Sequence, residues 1–202
     1  MYLTVGLGLA PVHSFAQTPT LLVLGDSLSA AHQMNPAQGW VQLLAQRLAQ
    51  HSFPYQVVNA SISGDTSYDG LNRLPASLQS QQPQIVIIEL GANDGLRGLP
   101  LQEIRQNLAQ MIQLAQDAGA KVLLLGMRLP PNYGPAYTRG FEDIYTSLAK
   151  QYNTGLLPFL LEGIATRREL MQTDNLHPKT EAQPMLLNNV WPQLVPLLSN
   201  KK

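Results

Sequence analysis

The run Leu21-Leu22-Val23-Leu24, closed by Gly25-Asp26-Ser27, constrains the fold more than any other stretch of the chain. It is apolar without alternation, and a strand of that kind belongs in a sheet covered on both faces, as parallel sheets are. Gly25 gives the run a tight exit, and the break on Asp26-Ser27 leaves a hydroxyl at the end of a buried strand. Similar runs recur down the chain: Tyr55 to Asn59, Ile85 to Leu90 entered from Pro83, Lys121 to Met127, and a short one from Gly155 to Leu157. Between them apolar residues fall at helical spacing. Trp40, Leu43, Leu44 and Leu48 mark a helix from Gly39 to His51, a second runs on toward Leu78, and Ile104, Leu108, Met111, Ile112 and Ala115 mark a third from Leu101 to Ala118. A fourth covers Phe141 to Tyr152. The last, Thr180 to Leu198, carries Pro184, Pro192 and Pro196 and is expected to be kinked or broken. Arg128 to Pro135 reads as a proline-rich loop.

Strands alternating with helices predict an α/β fold, a three-layer sandwich around a five-stranded parallel sheet with right-handed crossovers. Ligands of such sheets bind beyond the carboxyl ends of the strands, where the strand order reverses. With a flavodoxin-like order, 2-1-3-4-5, the exits of the first three strands are neighbours. Those exits carry Ser27, Gly64 and Asn93, so three polar loops converge on one crevice.

Composition narrows what enters that crevice. The 202 residues, 45% of them hydrophobic, suit one domain with a sizeable core, and 13 basic side chains balance 13 acidic ones. No run of like charge draws the chain to nucleic acid or anionic lipid. The expected partner is a small or amphiphilic molecule, with no stable membrane insertion and a monomeric protein. Cysteine is absent, which excludes disulfides and thiolate metal sites. Residues 1–16 are apolar and small up to Pro11, and Ser14 with Ala16 fits a small-x-small cleavage pattern. No Lys or Arg precedes Arg47, so the segment reads as a truncated signal peptide ahead of a single domain over 17–202.

Each candidate group has a plain structural reading beside the chemical one. Ser27 alone reads first as a helix cap. His177 follows Asp174 by three residues in Thr173-Asp174-Asn175-Leu176-His177-Pro178, a turn that can lay the carboxylate against one imidazole nitrogen while the other faces a hydroxyl. Taken alone, the pair is equally a capping Asp and a surface His. Gly64 can bring a backbone N–H close to a substrate, and the Asn93 amide offers uncharged donors, although both are also ordinary turn residues. Of the other histidines, His13 lies in the leader, His51 at a helix end, and His32 in the loop after Ser27, bordering the cleft. None has metal-ligand spacing to another, so neither a metal nor a cofactor is expected.

Together these residues resemble a known family. Gly25-Asp26-Ser27-Leu28-Ser29, Gly64 in Ser-Gly-Asp-Thr-Ser, Asn93 in Gly-Ala-Asn-Asp-Gly, and Asp174-x-x-His177-Pro178 are similar to the ordered blocks of the GDSL, or SGNH, hydrolases. The fuller strings Asn59 to Ser67, Gly91 to Gly98 and Arg128 to Gly134 resemble its bacterial periplasmic members with combined thioesterase, lysophospholipase and arylesterase activity. The resemblance implies Ser27 as nucleophile, His177 as base and Asp174 as its orienting acid. It also implies an oxyanion hole built from the N–H groups of Ser27 and Gly64 and the side chain of Asn93. It implies a periplasmic or secreted, cofactor-free serine esterase or thioesterase acting on aryl esters, acyl-CoA or lysophospholipids. No Gly-x-Ser-x-Gly elbow is present, which separates the chain from the α/β-hydrolases.

Substrate contacts are expected beside the motif positions, at Asp26, Leu28, Asp65, Asp94, Leu96, Arg97 and Leu99. Gly95 to Pro100 reads equally as an acyl-contacting flap and as an ordinary strand-to-helix loop. The alternatives are a carbohydrate O-acetylesterase of the same family and a non-catalytic periplasmic binding module. Apolar residues near the motifs, Leu28, Ile62, Leu96 and Leu99, favour an acyl chain over a sugar.

Overall fold

In the computed structural model, which describes residues 18–198, the apolar runs form one parallel sheet of order β2-β1-β3-β4-β5. The strands are β1 (Thr20–Gly25), β2 (Gln56–Asn59), β3 (Ile85–Glu89), β4 (Lys121–Leu125) and β5 (Gly155–Leu157). The leader segment proposed over residues 1–16 lies outside the described residues. Leu21 to Leu24 and Ile85 to Ile88 are wholly buried, as non-alternating runs require. The register pairs Gly25 with Glu89, so the first and third strands end level and deliver their exit loops at the same height.

Helices cover the sheet: α1 (Trp40–Gln50), α2 (Ser67–Gln81), α3 (Ala92–Leu96), α4 (Leu101–Asp117), α5 (Pro135–Tyr152) and α6 (Gln183–Leu194). Among the described residues none is long and apolar enough to cross a membrane. Trp40, Phe141 and Tyr145 are the largest fully buried side chains. Gln183, itself buried, accepts a hydrogen bond from Trp40 N at 3.0 Å through Oε1, capping α1 where Gly39 has no side chain to do so.

Two expectations are corrected and a third is met. The exit of β3 is not a plain loop but the short helix α3, entered through Gly91 in the left-handed region with φ 110°. A Cβ on Gly91 would lie 2.4 Å from Tyr145 Oη, which donates to Leu90 O, so this turn is open only to glycine. The helix expected from Phe141 begins six residues earlier because Pro135, placed in its first turn, has a φ already set for a helix and no N–H to satisfy. The last helix does break, but by parts: a 3-10 turn over Thr180–Ala182 precedes α6, Pro184 is tolerated in its first turn, Pro192 stays inside it, and a second 3-10 turn holds Pro196.

Candidate active site

Ser27 sits in the turn that leaves β1. Its neighbour Asp26 is buried and folds back, Oδ1 accepting Leu28 N at 3.0 Å, which shapes the turn and holds the Ser27 side chain toward the cleft. From the loop before α6, His177 Nε2 lies 2.8 Å from Ser27 Oγ, and His177 Nδ1 lies 2.7 Å from Asp174 Oδ2. The other Asp174 oxygen accepts the backbone N–H groups of Leu176 at 2.9 Å and His177 at 3.0 Å. Burial pushes the Asp174 carboxyl up, but the imidazole and these two N–H groups outweigh it and hold the pKa down at about 2. Asp174 is therefore ionised at any pH at which the protein works. A fixed carboxylate of this kind sets the imidazole tautomer with Nε2 free to accept a proton from the hydroxyl.

Asn93 stands at the start of α3. Its Nδ2 donates to Asp26 Oδ2 at 3.0 Å and to Asp65 O at 2.9 Å, so both amide protons tie together the exits of β1, β2 and β3. Gly64, with φ 89°, lies in the β2 exit, and the N–H groups of Gly64 and Ser27 have no acceptor among the described residues. Free donors around one hydroxyl are what a developing oxyanion needs.

Under this turn lies a carboxyl that the sequence reading did not single out. Glu89, at the end of β3, is fully buried; its Oε2 accepts Ser29 Oγ at 2.7 Å and Asp26 N at 3.3 Å. Burial, and then the neighbouring Asp26 charge, push Glu89 well above the usual carboxylate range. Burial likewise raises Asp26, to about 6. The only signal in the sequence was a glutamate closing an otherwise apolar strand, Ile85-Val86-Ile87-Ile88-Glu89.

The cleft beside Ser27 has a volume of about 860 Å³. Leu28, Leu96, Ser27, Gly64, Asn93 and His177 line it, as does His32. Asp26 lines it as well, whereas the expected contacts Asp65, Asp94, Arg97 and Leu99 do not. Asp65 is turned inward, its carboxylate 2.6 Å from Arg73 Nε. Asp94 is buried and accepts Ser67 Oγ at 2.6 Å and Ser67 N at 2.8 Å, fastening α3 to α2. Arg97 donates to Gly64 O at 3.1 Å, and with Leu99 it faces a separate, polar hollow between α2 and α4. Arg73 also donates to Gly25 O and Ala60 O, so it clamps the strand exits instead of meeting a ligand. What spacing alone missed is the far wall of the cleft, supplied by Met127, Leu129, Phe159, Leu161 and Met171. The rule that every parallel strand points its carboxyl end to the same side would have found the first four, which follow β4 and β5.

The sequence and the fold have known relatives. Residues 23–183 match the GDSL-like Lipase/Acylhydrolase family. The chain is 56% identical to "Esterase TesA" of Pseudomonas aeruginosa over 183 residues, covering 91% of each. It is 45% identical over 185 residues to "Thioesterase 1/protease 1/lysophospholipase L1" of Escherichia coli strain K12, covering 92% of this chain and 88% of that one. A crystal structure of TesA superposes with a TM-score of 0.87 at 57% identity, covering 89% of this chain and 99% of that one. The chain belongs to the GDSL-like lipase/acylhydrolase family, enzymes that hydrolyse ester bonds.

Proposed function

We propose that the protein is a secreted or periplasmic esterase and thioesterase that cleaves acyl esters and thioesters through an acyl-enzyme on Ser27. The observation that carries this reading is the continuous hydrogen-bonded chain Ser27 Oγ, His177 Nε2, His177 Nδ1, Asp174 Oδ2, opening on an apolar cleft. In the first half-reaction Ser27 Oγ attacks the carbonyl carbon while its proton passes to His177 Nε2. The carbonyl oxygen becomes an oxyanion, taking hydrogen bonds from the N–H groups of Ser27 and Gly64 and from Asn93 Nδ2. Because Asn93 already donates both amide protons, the oxyanion shares or displaces one of those bonds. His177 then gives its proton to the departing alcohol or thiolate. Water, deprotonated by the same nitrogen, attacks the acyl carbon and returns Ser27 to its hydroxyl form.

Leu28, Leu96, Leu129, Phe159 and Leu161 make the cleft suited to an acyl chain, and they favour aryl esters, acyl-CoA and lysophospholipids over an acetylated sugar. Residues 17–202 act as one catalytic unit in this reading, as a monomer and without a cofactor. Hydrolysis of p-nitrophenyl esters of graded chain length by wild type and Ser27→Ala tests it. Wild type should prefer chains longer than acetyl and Ser27→Ala should lose activity; equal rates would overturn the serine mechanism, and a sharp preference for acetyl would favour the carbohydrate reading.

A further inference from the structure

His32 and His177 are 145 positions apart, with no ligand spacing between them, yet the fold stacks their rings with centroids 4.3 Å apart and planes 34° apart. One ring nitrogen of each and one carboxylate oxygen of Asp174 all lie within 4.8 Å of one another. We propose that these three side chains form a binding site for a borderline divalent cation, Zn²⁺ first among them. Its occupation blocks the imidazole that ester hydrolysis uses, a consequence that rests on the function proposed above.

His32 is held in place from both sides. Its N–H donates to Ser27 O at 3.2 Å, and its carbonyl accepts Gln172 Nε2 at 3.1 Å. Gln172 also binds the opposite loop, its N–H donating to His177 O at 2.7 Å and its side chain to Pro178 O at 3.2 Å. One glutamine thus couples the His32 loop to the loop that carries Asp174 and His177. Ala31 and Gln33, on either side of His32, both adopt left-handed backbone with φ 58° and 53°. Non-glycine residues visit that region at a cost, and two of them bracketing one histidine mark a turn held against local preference.

The donor set selects the ion. Two imidazoles and a carboxylate are a typical three-ligand set for zinc, with a fourth position left for water. Zinc bonds to nitrogen and oxygen run about 2.0–2.2 Å, so ligand atoms around it stand roughly 3.3 Å apart. Mg²⁺ and Ca²⁺ prefer shells of oxygen and gain little from imidazole. A cation that takes Nδ1 of His177 beside Asp174 leaves the ring proton on Nε2, which then cannot accept the Ser27 proton, so the loaded protein is inactive without any change of fold.

Calorimetric titration of the whole protein with Zn²⁺ and with Mg²⁺ tests the site, using wild type, His32→Gln and His51→Gln. His51 packs on Trp191 away from the cleft and controls for ordinary surface histidines. Wild type and His51→Gln should bind one equivalent of Zn²⁺, His32→Gln should bind about tenfold or more weakly, and Mg²⁺ should give no isotherm. Ester hydrolysis is followed in parallel, each protein relative to its own rate in chelator. Zinc should silence wild type reversibly at concentrations that spare His32→Gln. Undiminished Zn²⁺ binding by a folded His32→Gln, or loss of binding in His51→Gln, overturns the site. Binding that depends on His32 but leaves turnover untouched keeps the site and overturns His177 as the base.

Discussion

Glu89→Gln should make the protein relatively more stable as pH rises, because it replaces a carboxyl that the fold keeps protonated with an amide of the same shape. Glu89 is fully buried and its Oε1 has no hydrogen-bond partner among the described residues. An unfolded Glu89 ionises near its ordinary value of 4.5, whereas burial and the Asp26 charge hold the folded one well above it. The folded state therefore binds one more proton than the unfolded state across that interval. For an acid raised in this way, stability is fully present below 4.5 and is lost as pH climbs toward the folded value. Each pH unit through which the folded chain keeps this proton and the unfolded chain has lost it costs wild type about 1.4 kcal/mol that the amide does not lose. Asp26, raised to about 6, titrates in the same window, but Glu89 and its replacement are both neutral there, so the Asp26 contribution cancels. At roughly 2–4 °C per kcal/mol for a chain of this length, the two melting temperatures should move apart by about 3–6 °C for each such pH unit. Urea unfolding followed by circular dichroism at half-unit pH steps measures it directly. Stability curves that run parallel from pH 5 to pH 7 would show that Glu89 is ionised in the folded protein and would refute the reasoning.

The remaining expectations concern turnover and the turn that carries it. Asn93→Ala should lower kcat by about 10²- to 10³-fold with KM little changed, since it removes the side chain proposed as an oxyanion donor; steady-state kinetics on a p-nitrophenyl ester measure both. Asp174→Asn should lower kcat by about 10²- to 10⁴-fold through the wrong imidazole tautomer while leaving the melting temperature within a few degrees, because its carboxylate is exposed. Gly91→Ala should cost about 1–3 kcal/mol by pressing a methyl on Tyr145 Oη, and should lower kcat as well because α3 carries Asn93. A rate unchanged in a variant whose melting temperature falls would separate the α3 entry from the site.

The layers were legible because they depend on local pattern, whereas the order 2-1-3-4-5 entered as an assumed flavodoxin-like arrangement. The runs Leu21 to Leu24 and Ile85 to Ile88 are short, apolar and unbroken, and nothing but a doubly covered sheet buries them. The convergence of Ser27, Gly64 and Asn93 followed from strand order, since parallel strands that neighbour one another deliver their exits together. What the sequence concealed depends on direction. Asp65, Asp94 and Arg97 sit one or four positions from motif residues, yet each turns away from the cleft: Asp65 pairs with Arg73, Asp94 ties α3 to α2, and Arg97 bonds the outer side of the Gly64 turn. Adjacency in sequence places a Cα, and in a turn it says little about where the side chain points.

Glu89 and His32 are the sharper cases. Each stands far from its partner in sequence, and each takes its character from a contact that only the folded chain makes. A glutamate closing β3 looks like the place where the strand meets water, and the Gly25–Glu89 register instead buries it under the Ser27 turn. There its proton serves the site: a charged Glu89 would repel Asp26, and Asp26 is the carboxylate that holds Asn93 Nδ2 in position. The Asn93 amide proposed to meet the oxyanion is thus supported by a group four residues before it in the chain. Positioning of this kind arises wherever a buried acid lies under an active-site turn, and it is found from strand register and burial, not from motif spacing.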